Sequence, residues 1–316
     1  MGRRGRRWLR PDPNAEWRRP DAPSDGDPSG AAESARAPVG TARGRPDGTD
    51  EDAPWRPGGE DEPFVPAPIA AEPAPEPTVD ATPVLTAERL VRTYPGGTGV
   101  LALRGVSLAV APGDFLALMG PSGSGKTTLL GLLSGLDAPD EGRVLWRGRP
   151  MTELSSDESK TLRRKEIGVV FQSFGLLPTL SAVENVELPL RVNGSDPDEA
   201  TDRAAALLSR LALSDRLHNR TFELSAGQQQ RVAVARALVA GPDVVLADEP
   251  IAEVDSENAD LILDALADVA RRGGAVVVAT HNPAALSYAA SVMLLRDGKI
   301  EASGSPDEMS HRLSTD

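Results

Sequence analysis

The octapeptide of residues 120–127, Gly-Pro-Ser-Gly-Ser-Gly-Lys-Thr, constrains this chain more than any other feature. The apolar run of residues 115–119 precedes it, and leucines at helical spacing follow it as Leu129, Leu130, Leu132, Leu133 and Leu136. This order predicts a buried strand, a glycine-rich turn and a helix that begins near Lys126. Glycines let backbone N–H groups approach an anion closely, and a helix N-terminus favours negative charge. The segment therefore predicts an α/β unit built around a phosphate site.

The residues of this loop have different expected roles in binding a triphosphate. Lys126 supplies a charge for the β- and γ-phosphates, and the hydroxyl of Thr127 is suited to Mg²⁺. The remaining residues form the phosphate cradle, which we assign to Gly120, Pro121, Ser122, Gly123, Ser124, Gly125 and Thr128. The expected ligands are ATP and Mg²⁺.

A second apolar run, residues 244–247, is followed directly by two carboxylates. Asp248 is placed for the ligand shell of Mg²⁺, and Glu249 can polarise a water for attack on the γ-phosphate. A lone Asp-Glu pair is more often a solvated strand end. Its place after an apolar strand and downstream of residues 120–127 favours the catalytic interpretation.

Two further apolar runs end in polar side chains suited to the same site. Val170 and Phe171 precede Gln172, whose amide could contact Mg²⁺ or the attacking water. Residues 275–280 precede His281, and a side chain at the carboxyl end of such a strand faces the ligand crevice of an α/β sheet. Helical patterns at residues 199–213 and 257–272 alternate with these strands, so we expect a sheet covered on both faces.

The bulk composition excludes several classes of protein. The 316 residues carry a formal net charge of −13, with a pI near 4.8, which argues against a nucleic-acid-binding surface. The chain has no cysteine, and its three histidines lie far apart, so we expect no metal site built by the protein alone. No apolar run reaches the roughly 20 residues that span a bilayer, and no signal-peptide core follows the basic N-terminus. We therefore expect a soluble, intracellular chain.

Residues 1–82 differ in composition from the rest of the chain. They are rich in Pro, Ala, Gly, Asp, Glu and Arg and almost lack Ile, Leu and Val, so we predict that they are disordered. Three of the four tryptophans stand beside an Arg-Pro pair, at Trp8, Trp17 and Trp55. These repeats are either a docking motif for a partner or a membrane surface, or a product of biased composition.

A second helix start lies in the segment from Leu224 to Leu238. Ser225 and Gln228 fit a capping box, so a helix begins there and ends before Gly241. Its N-terminus offers further N–H groups and a hydroxyl to an anion.

In this order, the motifs of residues 84–304 resemble the nucleotide-binding subunit of ATP-binding-cassette (ABC) transporters. The resemblance rests on the P-loop at 120–127, a Q-loop at Gln172, the signature at 224–228, the strand that ends at Asp248 and Glu249, a D-loop that ends at Asp255, and the switch His281. Tyr94 matches the aromatic residue that stacks on adenine in this family.

The resemblance implies an α/β fold, a P-loop NTPase of ABC type. Such a domain has a RecA-like core sheet, an antiparallel β subdomain and a helical subdomain. We expect it to cover residues 83–306, with the helical subdomain at about 174–240 and a short C-terminal tail at 307–316.

Residues 171–190 and 224–238 look like one branch of the family, which drives lipoprotein release and macrolide or peptide efflux. Two departures stand out. Ala226 replaces the first glycine of the signature, but alanine in a first helical turn is sterically mild, so we expect the γ-phosphate contact to survive. Ile251 and Val254 alter the D-loop, which in the family lies across the dimer interface, and this puts communication between the two sites in doubt.

The resemblance implies that two copies of the domain sandwich two ATP molecules head to tail. Each site combines the P-loop of one copy with Ser225, Gly227 and Gln228 of the other. The sequence holds one copy of each motif, so a homodimer is expected. Without a hydrophobic span of its own, the chain would need a separate membrane permease, at the inner face of the cell membrane, and the signal would pass through residues 172–190.

The function implied is ATP hydrolysis that powers export or extraction of substrates from the membrane. One alternative is an ABC ATPase that regulates a membrane partner without transport, as cell-division ATPases of a related branch do. A soluble ABC ATPase of translation or repair fits less well, because those proteins usually carry two cassettes or a long coiled-coil insertion.

Overall fold

The structure is a computed structural model that describes residues 82–95, 99–252 and 254–313. The tryptophan repeats and the residues 1–82 that the sequence predicts to be disordered, except Thr82, lie outside the described residues. The strands are β1 (Leu85–Tyr94), β2 (Val100–Val110), β3 (Phe115–Met119), β4 (Glu141–Trp146), β5 (Arg149–Pro150), β6 (Ile167–Val170), β7 (Val244–Asp248), β8 (Ala275–Thr280), β9 (Ser291–Arg296) and β10 (Lys299–Gly304). The α-helices are α1 (Lys126–Leu133), α2 (Ser156–Thr161), α3 (Ala182–Val192), α4 (Pro197–Arg210), α5 (Ala226–Leu238), α6 (Ser256–Arg271) and α7 (Pro306–Leu313).

Six strands form the central sheet, in the order β10-β9-β3-β8-β7-β6. All neighbours in it are parallel except β10, which pairs antiparallel with β9. Along β7, Val244 and Leu246 belong to one apolar cluster, whereas Val245 and Ala247 belong to another. Both faces of the sheet are therefore buried, as the continuous apolar runs predicted.

The carboxyl ends of three central strands meet at one edge of this sheet. Met119 at the end of β3 pairs with Thr280 at the end of β8, and Asp248 at the end of β7 pairs with Ala279. Because the strands are parallel, the segments that follow them emerge side by side. This register brings the P-loop, Glu249 and His281 to the same edge.

A four-stranded antiparallel sheet, in the order β2-β1-β4-β5, lies against one face of the core. Its inward side chains, such as Leu85, Leu103 and Val144, share an apolar cluster with α1 and with β7 and β8. On the other face, α3, α4, α5 and α6 pack into a second cluster, which includes Val186, Leu208 and Val234. The predicted core sheet, antiparallel β subdomain and helical subdomain are therefore present. Within the part of the chain that the structure describes, no helix is both long and apolar enough to cross a bilayer.

Two elements differ from the sequence-based expectation. The leucine spacing after Lys126 predicts a helix that continues to Leu136, but α1 ends at Leu133, and Leu136 is 54% exposed. Gly135 adopts a left-handed conformation with φ of +66°, which ends the helix.

The sequence predicts a short C-terminal tail at residues 307–316, but residues 306–313 form α7. The N–H of Ser305 donates to Glu308, whose own N–H donates to the Ser305 hydroxyl. Met309 packs in an apolar cluster with Met119 and Leu294 and is 1% exposed. Serine followed by proline and, two residues later, glutamate is a helix-start signal that the composition of this short segment obscured.

Candidate functional site

An open cleft of about 510 Å³ lies at the carboxyl edge of the central sheet. Its walls come from the P-loop, from the ends of β1 and β7 and from the start of β2. The sequence-predicted residues that line it are Tyr94, Ser122, Gly123, Gly125, Lys126, Thr127, Thr128, Gln172, Asp248 and Glu249. The structure therefore gathers into one cleft residues that are up to 155 positions apart in the sequence.

Two of the three P-loop glycines, Gly120 and Gly125, are required by the surrounding backbone. A Cβ atom at Gly120, where φ is +154°, would lie 2.2 Å from the carbonyl oxygen of Leu295. A Cβ atom at Gly125, where φ is +108°, would lie 2.7 Å from the carbonyl oxygen of Ala102. The loop is thus wedged against two other strands, which fixes the position of its N–H groups.

Helix α1 begins directly after this loop, at Lys126. Its N-cap is Gly125 in a left-handed conformation, and no side chain caps the first turn within the described part of the chain. The N–H groups of that turn are left for an anion, and the helix dipole adds a favourable field. This arrangement is chemically suited to the phosphates of a nucleotide.

Lys126 is buried at the base of the cleft. Its Nζ atom donates to the carbonyl oxygens of Gly120 at 2.7 Å and Pro121 at 3.2 Å. It also lies 3.6 Å from Oε1 of Glu249, which is 8% exposed. The ammonium and carboxylate compensate each other, because an unpaired charge at this depth would be costly.

Glu249 is held by several groups at the end of β8. Its Oε1 atom lies 2.9 Å from Nδ1 of His281, and its Oε2 atom accepts a 2.9 Å hydrogen bond from the hydroxyl of Thr280. The backbone N–H of His281 also donates to Oε2, at 3.4 Å. Glu249 itself has a φ of +47°, an uncommon conformation for a non-glycine residue. The surrounding bonds fix this carboxylate in one position beside the P-loop.

Asp248 provides the clearest test of whether a metal fits. Its side chain is 6% exposed, and its Oδ1 atom has no hydrogen-bond partner among the described residues. Burial raises the pKa of Asp248, and the hydroxyl of Thr127 offsets part of that shift. An orphaned buried carboxylate oxygen beside a threonine hydroxyl is the hard oxygen donor set that Mg²⁺ prefers. The residues present therefore fit the metal.

The predicted residues of the signature lie elsewhere. Ser225, Gly227 and Gln228 do not line the cleft; they form the N-terminus of α5. The predicted capping box is confirmed: the Ser225 hydroxyl accepts from Gln228 N–H at 3.3 Å, and Gln228 Oε1 accepts from Ser225 N–H at 3.0 Å. Ala226 is exposed in the first turn. In contrast, Ile251 is 1% exposed and packs inside the core of this chain.

Sequence reasoning missed several residues at the mouth of the cleft. Arg104 and Asp297 line it, and Arg92 and Asp137 contact Tyr94 without lining it. None of them belongs to a motif with fixed spacing. The strand pairing of β1 with β2, the loop after α1 and the turn between β9 and β10 bring them together, so no local signal could have found them.

Comparison with known proteins places these features in context. A sequence model of the family described as ABC transporter matches residues 103–252. The chain is 43% identical over 205 residues to the macrolide export ATP-binding/permease protein MacB of Wolinella succinogenes, covering 65% of this chain and 32% of that protein. It is 41% identical over 235 residues to the pyoverdine export ATP-binding/permease protein PvdT of Pseudomonas fluorescens, covering 74% of this chain and 36% of that protein. The chain thus spans about a third of the length of these relatives.

Among solved structures, the chain is similar to the ATP-binding cassette MJ0796, a dimer in a post-hydrolysis state bound to ADP and Pi. The TM-score is 0.67 at 38% identity, and the match covers 70% of this chain and 98% of that chain. A second dimeric structure of MJ0796, described as a bacterial ABC transporter cassette, matches with the same values.

Proposed function

The chain belongs to the ABC transporter family, and from this premise we propose that it powers a membrane permease carried on a separate chain. It is an ABC-type ATPase, so ATP is its substrate. The relatives named for macrolide and pyoverdine export support work in the export direction or in extraction from the membrane. The chain would act at the cytoplasmic face of that membrane.

The observation that carries the catalytic assignment is the group of contacts around Glu249. We infer that this carboxylate takes a proton from the attacking water. The water oxygen then bonds to the γ-phosphorus as the bond to the leaving ADP oxygen breaks. Thr280 and His281 orient the carboxylate, and Lys126 binds the β- and γ-phosphates.

When bound, Mg²⁺ would neutralise charge on the phosphate oxygens, and Thr127, Gln172 and Asp248 are the residues that would hold it. Ser122, Gly123 and Thr128 line the same wall of the cleft and complete the cradle. Tyr94 offers its ring to the adenine.

The signature residues support a homodimer. The cleft is walled on one side by the P-loop, whereas the α5 N-terminus, with Ser225 exposed, is displayed on another part of the surface. We propose that the α5 N-terminus of a second copy closes over the γ-phosphate and stabilises the charge that develops there. The dimeric cassettes similar to this chain support that arrangement.

An apolar groove of about 390 Å³ supports the contact with a permease. Leu136, Phe171 and Val192 line it and are 54, 40 and 51% exposed. The basic residues Arg163, Arg164 and Lys165 line the same groove. Apolar walls beside clustered cations fit an amphipathic segment with acidic side chains, and we propose that the permease supplies it.

The test is reconstitution of the chain with a candidate permease in vesicles. ATP-dependent movement of a substrate, abolished by Glu249→Gln, would support the proposal. Groove variants Val192→Asp and Arg164→Glu should weaken the complex but leave the ATPase rate of the isolated chain unchanged. Arg143→Glu, on the four-stranded sheet, is the matched control.

A different outcome would favour the regulatory alternative. If ATP turnover responded to the membrane partner but no substrate moved, the chain would be a regulator of that partner. If no membrane protein bound the groove and its variants behaved as wild type, the permease proposal would fail while the ATPase assignment stood.

A further inference from the structure

A compact polar cluster holds the ring of Tyr94 at the mouth of the nucleotide cleft. The hydroxyl of Tyr94 donates to Oδ2 of Asp137 at 2.9 Å. Arg92 donates two hydrogen bonds to the same carboxylate, from Nε to Oδ2 at 3.0 Å and from Nη2 to Oδ1 at 2.8 Å. Its Nη1 atom donates to Asp140 at 2.9 Å. Tyrosine and arginine at the end of β1 thus share one acceptor in the loop that follows α1.

Arg92 also covers part of the tyrosine ring. Its Cζ atom lies 4.9 Å from the centroid of the Tyr94 ring, within the range of a cation–π contact. The intervening Thr93 is fixed as well, since its N–H donates to Asp140 Oδ2 at 2.6 Å. Ring, hydroxyl and backbone of this segment are therefore all restrained by the same loop.

The surface beside this ring is apolar and open. Val100 and Leu101 line the cleft with Tyr94 and are 60 and 41% exposed. Val100 pairs directly with Tyr94 across the β1–β2 ladder. Exposed aliphatic side chains beside an aromatic ring form a surface suited to a flat, weakly polar group, which in a nucleotide is the base.

Asp137 is an acceptor at neutral pH. Partial burial acts to raise the pKa of Asp137, but hydrogen bonds from a backbone N–H, from the Tyr94 hydroxyl and from Arg92 outweigh it and hold the pKa below its ordinary value. An ionised carboxylate only accepts, so the hydroxyl proton of Tyr94 is committed to it.

We propose that Arg92 and Asp137 are positioning residues for the base: they fix the Tyr94 ring as a stacking surface and occupy its hydroxyl, so that Tyr94 recognises a base by stacking alone. The inference rests on the proposed binding of nucleotide in this cleft. Stacking tolerates any base with a large π face, so the contribution of Tyr94 is the same for adenine and guanine.

The experiment compares ligands with and without a base. Dissociation constants of the full chain are measured for ATP, GTP and inorganic tripolyphosphate, with Mg²⁺ present. Tyr94→Ala should weaken ATP and GTP alike by about 10-fold or more, and Arg92→Ala by about 5-fold, with tripolyphosphate unchanged within about twofold. Arg143→Ala, which removes an exposed arginine paired with Glu88 on the same sheet, is the matched control and should change nothing.

Two further variants separate positioning from folding. Arg92→Lys keeps a cation but loses the pair of hydrogen bonds to Asp137, so its dissociation constants should resemble those of Arg92→Ala. Tyr94→Phe keeps the ring and loses the hydroxyl bond, and should fall between wild type and Arg92→Ala for both nucleotides. In the double variant Arg92→Ala with Tyr94→Ala, the loss should equal that of Tyr94→Ala alone.

Each remaining result counts against a specific claim. If Arg92→Ala weakened tripolyphosphate as much as ATP, or if the two losses simply added, Arg92 would not act through the ring and the inference would be overturned. If Tyr94→Phe weakened the binding of ATP far more than that of GTP, the hydroxyl would contribute to base recognition, and the claim that Tyr94 acts by stacking alone would be wrong. If wild type bound neither ATP nor tripolyphosphate, the proposed nucleotide site itself would fail.

Discussion

The N-termini of α1 and α5 both present backbone N–H groups, but they differ in whether a side chain caps them. Helix α1 starts at a left-handed Gly125 without a side-chain cap among the described residues, at the floor of a cleft. Helix α5 starts at Ser225 with a complete capping box, and Ser225 is exposed. The N–H groups of the first turn of α1 are therefore available to an anion, whereas one N–H of the first turn of α5 already has a hydrogen-bond acceptor in its own chain.

This difference indicates what each end requires. Around α1, the groups of one chain converge: Lys126 and Glu249 pair at 3.6 Å and His281 lies 2.9 Å from the same carboxylate. We propose that a nucleotide completes that end. At α5, one N–H of the first turn already donates to the Ser225 hydroxyl. Fewer free N–H groups attract an anion more weakly, so we expect this helix end to bind an anion only together with groups from a second surface.

The largest effect is expected at the α1 end, where we propose that ATP is hydrolysed. Glu249→Gln keeps the shape of the side chain and removes its basicity, so ATP turnover should fall by about 10²- to 10⁴-fold while ATP still binds. Phosphate release and equilibrium binding measure the two quantities. Glu257→Gln, at the exposed start of α6, is the control, and turnover of Glu249→Gln close to wild type would remove Glu249 as the base.

The next effect tests the charge at the same end. Lys126→Ala should weaken ATP binding by about 100-fold, because it removes the buried cation that we propose binds the phosphates. It also leaves Glu249 uncompensated, so the melting temperature should fall as well. Lys160→Ala, at an exposed site on α2, provides the baseline for calorimetric titration. An unchanged dissociation constant in folded protein would contradict the assigned contact.

A smaller effect separates the two ends directly. Ser225→Ala and Ser155→Ala remove equivalent capping boxes, at α5 and α2, and each should cost about 1 kcal/mol of unfolding free energy. Only Ser225→Ala should lower ATP turnover, by about tenfold, with ATP affinity of dilute protein unchanged. Chemical denaturation and steady-state rates provide the comparison. Equal turnover in both variants would mean that α5 has no part in catalysis.

The smallest effect concerns the departure at the α5 end. Ala226→Gly restores a second glycine at an exposed first-turn position, so turnover should stay within about twofold of wild type and stability should drop by about 0.5 kcal/mol. Rates measured at saturating ATP decide the point. A large gain in turnover would show that the Ala226 methyl group obstructs the contact with phosphate.

The burial of Ile251 changes the interpretation of its departure from the D-loop pattern. From the D-loop pattern alone, the change at Ile251 puts communication between the two sites in doubt. The side chain is 1% exposed and belongs to the core cluster of its own chain. The substitution therefore contributes to packing within the chain, and its effect on coupling stays a prediction.

The strands and helices of the core were predictable because their signals are local. The apolar runs that became β3, β7 and β8 and the capping box of α5 were confirmed within one or two residues. The end of α1 was wrong, because leucine spacing continues past Gly135 although the helix does not. Helix α7 was missed for the opposite reason, since eight residues carry too little periodicity to be distinguished from a tail.

The sequence by itself determined that a glycine-rich turn lies between a buried strand and a helix, and that carboxylates, an amide and an imidazole follow other buried strands. Those features depend on neighbours a few residues apart, so spacing records them. Only the tertiary structure decided that Glu249 pairs with Lys126 and that Arg92 reaches Asp137, 45 positions away. Such pairings arise from strand order and register, which are set by burial of the whole core and leave no repeat in the sequence.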